Sequence, residues 1–421
     1  MKVTANTSIS HLCLSSISSS SLFSISSMSQ KLHFNIASSS FSKFSSSFLR
    51  SSSASSMIFL KSSFAKSFLS TAVYVRAIDM VYRIDVKGQT TNYGNYSALI
   101  LSEMYFENCV SQFDGGAVFA IFEGNFICNY TGFLSCSSGA GFSGGAAFVI
   151  ANNTNFTGSC FSSCSSERGA AFITRETLNL ASMELCVFDS CYPSMSRPKY
   201  FFDIQSKDIS ITKSNFSRSE FSKVFRLSPI HDVKISMNQF QYINAVEPNP
   251  ADEPSFFRFK RANPHMIIEK CNFVHNYIPN GDIFVFDGYK ATISNWIFSN
   301  NTFSKFAIQD SASGDDITLI LSFCQFDNPG SSISSALIVT QNCSFNIAAP
   351  SFISIDYVSS QQCWFHSRYK WKQPNRATQI AVLSTLAAII LVSVGFLAYH
   401  KRKLDSKIQR EDEEMIAPSH P

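Results

Sequence analysis

Residues 99–109 read LILSEMYFENC, and residues 266–276 read MIIEKCNFVHN. Set on their phenylalanines, Phe106 and Phe273, the two stretches share a register. Apolar residues stand seven and five positions before the ring (Leu99 and Leu101; Met266 and Ile268), and Cys109 or Asn276 stands three after it. The same register recurs at Phe41, Phe64, Phe133, Phe161, Phe188, Phe216, Phe240, Phe298, Phe326 and Phe345. From Phe106 to Phe345 the repeat averages about 27 residues, and a period of this size marks a solenoid whose units bury their apolar faces only against neighbours.

The offsets predict the shape of one unit. Apolar residues two apart share one face of a strand. After a short turn a second apolar run follows, such as Gly115-Gly-Ala-Val-Phe119, Gly144-Gly-Ala-Ala-Phe148 or Ile283-Phe-Val-Phe286. No run with helical spacing is found before residue 380, and Ser, Asn, Gly and Asp punctuate the Phe-, Ile- and Val-rich segments. The expected fold is therefore all-β, a right-handed parallel β-helix of about 12 coils. A leucine-rich solenoid and a β-sandwich array are the competing readings; the leucine-rich core motif is absent. In a parallel stack like falls on like, so Phe106, Phe133, Phe161, Phe188, Phe216, Phe240, Phe273, Phe298 and Phe326 are expected to form an aromatic ladder. That ladder is core, with no catalytic role.

Eight of the 12 cysteines fall in two columns. Cys109, Cys136, Cys164 and Cys191 lie three after the ring, and Cys186, Cys271, Cys324 and Cys343 lie two before it. Cys363 joins them if Phe365 anchors a last coil. Cysteines in register on adjacent coils are within reach of disulfide geometry, but they pack equally well as free buried thiols. Cys160 with Cys164, or Cys186 with Cys191, are candidate bridges within a turn.

The ends differ from the body. Residues 1–78 contain no Asp or Glu and are rich in Ser, which fits a low-complexity or targeting leader. The repeat offsets nonetheless persist from about residue 31, so residues 1–30 read as leader or degenerate first coils and 31–366 as the repeat domain. With no uninterrupted apolar signal core and no evident cap, the reading expects an N-terminally incomplete product. Ile380 to Tyr399 is a 20-residue uncharged apolar run, long enough to cross a bilayer as a helix. A basic linker (367–379) precedes it, and a short tail (400–421) opens with His400-Lys-Arg-Lys403. Sequons at Asn95, Asn129, Asn152, Asn155, Asn215, Asn300 and Asn342 all precede the span, which favours an extracellular body and a cytoplasmic tail at the plasma membrane.

The pairing of Gly-Gly-Ala-(Val/Ala) with Phe-x-x-(Cys/Asn) resembles the repeat of the chlamydial polymorphic membrane proteins. The matching residues are Gly115–Val118 and Gly144–Ala147, then Phe273–Asn276 and Phe298–Asn301, with Cys replacing Asn at Cys109, Cys136, Cys164 and Cys191. Lacking a terminal membrane barrel, the chain is more similar to the helix-anchored repeat proteins of trichomonad protists. The resemblance implies adhesion or contact with a host surface.

Chemistry is hard to find. Gly139-Ala-Gly-Phe-Ser-Gly144 spells a dinucleotide fingerprint, but a strand rather than a helix is expected after it. The eight histidines show no ligand spacing, and a net charge of +4 gives no footprint for nucleic acid. No catalytic, cofactor or metal residue is assigned. A membrane-anchored polysaccharide lyase or glycoside hydrolase is the alternative, with Asp282, Asp287, Asp315 and Asp316 as its carboxylates. The expected function is adhesion or recognition of a host-cell, matrix or carbohydrate ligand.

Overall fold

The computed structural model describes residues 97–354, apart from short interruptions, together with short strands between residues 7 and 76. The expected span 380–399, its linker and its tail lie outside the described residues, as do Asp287, Asp315, Asp316, Asn95 and Cys363. Among the described residues no helix is long and apolar enough to cross a membrane. The described elements are strands wound as a parallel β-helix of right-handed type.

One coil shows how the sequence closes the turn. Ser97–Ser102 lies in a 24-stranded sheet, Tyr105–Glu107 in a 12-stranded sheet and Val110–Ser111 in a 4-stranded sheet, and Val118–Ile121 then returns to the large sheet. The next coil repeats it in parallel register, with Leu99 opposite Phe126, Phe106 opposite Phe133 and Val118 opposite Ala147. Alternation sends the repeating phenylalanine inward and its two neighbours outward.

Single residues in the left-handed conformation make the two bends that flank the central strand. They stand three before the ring (Glu103, Tyr130, Leu185, Lys213, Met237, Lys270, Asn295, Phe323) and two after it (Asn108, Ser135, Ser163, Ser190, Arg218, Tyr242, His275, Asn300). Left-handed backbone disfavours side chains bearing a Cβ by roughly 1–2 kcal/mol. Inter-coil bonds offset that cost, such as Glu103 N–H to the Asn129 carbonyl at 2.9 Å and Asn108 N–H to the Leu134 carbonyl at 2.8 Å.

The rings inside stack face to face. Centroids are 5.1 Å apart for Phe106–Phe133, 4.8 Å for Phe133–Phe161, 4.7 Å for Phe161–Phe188, and 5.0 Å for both Phe188–Phe216 and Phe216–Phe240. The column loosens at Phe240–Phe273, where the centroids are 6.3 Å apart and the rings tilt by 51°. Trp296 takes a position usually held by a small residue, and its buried indole packs against both rings. Stacking resumes at Phe298–Phe326 (4.8 Å) and reaches Phe345 (5.2 Å). Phe202, Phe225, Phe257 and Phe284 form a second column at 4.9, 5.0 and 5.4 Å.

The expectation of about 12 coils needs correction: the solenoid has about seven turns. The periodicity counts strands on one side, and the central sheet does hold 12 strands, from Cys13–Ile17 to Gln325–Phe326.

The Gly-Gly-Ala motif has a steric cause. Gly115 and Gly144 hold φ values of 71° and 72°, a region glycine enters freely. Gly116 lies against the neighbouring coil, where a Cβ would collide with the Gly145 carbonyl and sit 2.6 Å from the Ser137 carbonyl oxygen.

Candidate functional site

The two polar columns cap the left-handed bends. Ser159 Oγ donates to the Cys128 carbonyl of the preceding coil at 3.1 Å and accepts from the Thr131 amide at 3.3 Å. Asn238 accepts from the Ser214 amide at 2.9 Å and donates to the Ile211 carbonyl at 2.8 Å. On the far bend, Cys136, Cys164 and Cys191 point their thiols at the carbonyls of Phe106, Phe133 and Phe161. Ser219, Asn276 and Asn301 do the same work further along the stack. Ser, Thr, Cys and Asn interchange here because each is small and polar enough to bond backbone groups of two coils at once.

Cys109, Cys136, Cys164, Cys191, Cys186, Cys271 and Cys324 are buried free thiols, and Cys343 is a half-buried free thiol. The bridges expected within turns therefore do not form, since Cys164, Cys186 and Cys191 are all reduced. Their side chains are committed to carbonyls on the coil below, which points them along the stack axis. Burial pushes the Cys128 and Cys186 thiols up to about 12. At the end of the column a hydrogen bond with Cys324 lowers Cys343 to about 6. Cys160 stands apart: it occupies an outward position on the central sheet and is disulfide-bonded.

Buried carboxylates are engaged in structural bonds. Asp189 accepts from Arg218 Nε at 2.7 Å and from Ser217 Oγ at 2.9 Å. Asp203, almost fully buried, meets Arg226 Nη1 at 3.3 Å, and the Arg226 guanidinium lies 5.1 Å above the Tyr200 ring. Asp282 is buried in the strand Tyr277–Phe286. After Gly139–Gly144 comes the strand Ala147–Ile150, so that glycine run opens no helix.

Of the sequons, Asn300 and Asn342 are exposed on left-handed bends. Asn129, Asn152 and Asn155 are half-buried, while Asn215 is 1% exposed, which removes it from the acceptors the folded chain presents.

Among the described residues a groove of about 490 Å³ lies on the outer face of the central sheet. Tyr242 and His275 stack in parallel along one side with centroids 5.0 Å apart. Phe352 lines the groove as well, and Gln239, Gln241 and Asn272 contribute amides. Asn272 anchors the chain beyond the last coil: its Nδ2 donates to the Ile353 carbonyl at 3.0 Å, and its Oδ1 accepts from the Ile353 amide at 3.2 Å. Sequence reading missed this groove. Tyr242 and His275 follow their rings by two, a position occupied by many residue types, and the Asn272–Ile353 pairing spans 81 residues.

Comparison with family models, curated proteins and solved structures finds no match to this chain. The fold defines its class, a parallel β-solenoid, and the likeness to polymorphic membrane proteins rests on the repeat motifs alone.

Proposed function

We propose that this chain is a cell-surface adhesion or recognition protein that uses its β-helix as a rigid display surface. Residues 380–399 would anchor it, with the body outside and the tail inside.

One observation carries the reading. At the bends the backbone repeats while the side chains do not. Glu103, Tyr130, Leu185, Lys213, Met237 and Phe323 share one left-handed conformation, and none of them is buried. A core position would repeat its residue type, as the phenylalanines do; a displayed position is free to vary. The Tyr242–His275 groove is the strongest part of that surface. Ring faces beside amide donors and acceptors suit a hydroxyl-rich ligand, and a carbohydrate of host-cell or matrix origin is the class that fits best.

The test is binding of the full-length, detergent-solubilised protein to immobilised glycans and matrix proteins. Tyr242→Ala and His275→Ala should each weaken retention at least tenfold with unchanged melting. Wild-type retention in both variants, or no retention of the wild type on any surface, would reject the assignment.

A further inference from the structure

In the column two residues before the ring, Cys186 lies between Ser159 and Ser214, and Cys271 between Asn238 and Trp296. Among the described residues of that column, only Cys324 and Cys343 follow one another on adjacent coils. Their register is set from both sides. Ser322 pairs with Gln341, and Gln325 with Ser344. Between these pairs the Phe323 amide donates to the Gln341 carbonyl and the Ser344 amide to the Cys324 carbonyl, each at 2.9 Å. The two cysteines therefore face each other one strand spacing apart, about 4.8 Å. A disulfide spans roughly 4.4–6.8 Å between Cα atoms, so the backbone already meets its requirement. The two thiols are hydrogen-bonded to each other.

The pair is also unequal. Cys324 is 1% exposed, whereas Cys343 is half-buried. The hydrogen bond with Cys324 lowers Cys343 to about 6, and the same bond together with burial raises Cys324. At neutral pH one member is a thiolate within reach of solvent and the other a protonated thiol behind it. The far column has cysteines on successive coils too, but Cys109, Cys136, Cys164 and Cys191 are each 0% exposed, out of reach of a dissolved oxidant.

We propose that Cys324 and Cys343 are a peroxide-reactive thiol pair that closes to a reversible disulfide and pins the strand Ile338–Gln341 to the coil before it. The Cys343 thiolate attacks one oxygen of a hydroperoxide. An S–O bond forms, the O–O bond breaks, and the departing oxyanion takes a proton from solvent to leave as an alcohol or water. The sulfenic acid left on Cys343 is uncharged, which removes the negative charge opposing ionisation of Cys324. Cys324 then attacks the Cys343 sulfur: the S–S bond forms, the S–O bond breaks, and hydroxide leaves with the Cys324 proton as water. The two electrons lost by the sulfurs reduce the peroxide.

The test is non-reducing peptide mapping of the full-length protein, first reduced and freed of reductant, then exposed to stoichiometric hydrogen peroxide. The expected product is a Cys324–Cys343 cross-linked peptide that reductant reverses, formed while Cys128 and Cys186 remain thiols. Amide exchange at Ile338–Gln341 should slow about tenfold on oxidation and recover on reduction. Cys324→Ser should leave Cys343 as a sulfenic acid that dimedone traps. Cys343 still open to alkylation after peroxide, Cys343 linked to any other cysteine, its sulfinic acid beside an intact Cys324 thiol, or unchanged exchange at Ile338–Gln341 would overturn the proposal. Mapping of the wild type decides the matter even if the variant fails to fold.

Discussion

Asn276 donates from Nδ2 to the carbonyl of Phe240 on the preceding coil, at 3.0 Å. Its Oδ1 accepts from the Ile243 amide at 3.1 Å, and its own amide is capped by Asn301 at 2.9 Å. One side chain thus ties three coils at a bend where the backbone has left its sheet ladder. Asn276→Ala leaves the Ile243 amide without the Asn276 acceptor and takes one hydrogen bond from the Phe240 carbonyl, with the orphaned amide costing about 1–3 kcal/mol. Asn276→Ser should recover part of the loss, since Ser219 fills the same position and caps the Cys191 amide. Chemical denaturation of the two variants gives the comparison; equal midpoints for Ala and wild type would refute the capping role.

Phe188 lies between Phe161 and Phe216, 4.7 and 5.0 Å from its neighbours, and touches Phe202 edge-on at 4.8 Å. Phe188→Ala should cost about 3–5 kcal/mol. Phe273→Ala should cost less, because the stack there is already tilted and Trp296 can shift into the space. The ordering of the two melting temperatures checks this.

Gly116→Ala puts a methyl group against carbonyls of two neighbouring segments. The expected destabilisation is about 1–3 kcal/mol or more. Gly141→Ala, where a Cβ would meet open space, faces only the conformational cost of a φ of 81°. Thermal unfolding should therefore rank Gly116→Ala as the more damaging of the two.

Thiol chemistry should be ordered along the stack. With its pKa lowered to about 6, Cys343 is mostly thiolate at pH 7.5, whereas Cys128 and Cys186, held near 12, are protonated and out of reach. Iodoacetamide should alkylate Cys343 first, at a rate that rises with pH through about 6 and then levels. Peptide mapping after brief labelling checks the order; labelling of Cys128 at the same rate in the folded protein would contradict it.

The part of the fold readable in the sequence is the part enforced by burial. The central strands bury one large ring each, so the register survives in spite of variable spacing, and Phe106 through Phe326 mark it. The bends left no trace, because Leu185, Met237 and Phe323 hold left-handed backbone without belonging to the residue types that favour it. Their conformation is imposed by bonds from the coils above and below. The cysteine columns were visible as positions but not as chemistry: sequence spacing leaves disulfide and free thiol equally open, and the carbonyls of Phe106, Phe133 and Phe161 decide for the thiol. The groove was invisible for a third reason. Tyr242, His275 and Phe352 are exposed, so no packing pattern marks them, and they come together only because the chain returns at Ile353 to a coil it left 81 residues earlier.

The central claim, a β-helix displayed outside the cell, is tested most directly by protease shaving of intact cells that express the full chain, probed with an antibody to the coiled body. Loss of the body signal with retention of a short C-terminal fragment is the predicted result. Full protection of the body in intact cells, with cleavage only after permeabilisation, would contradict it.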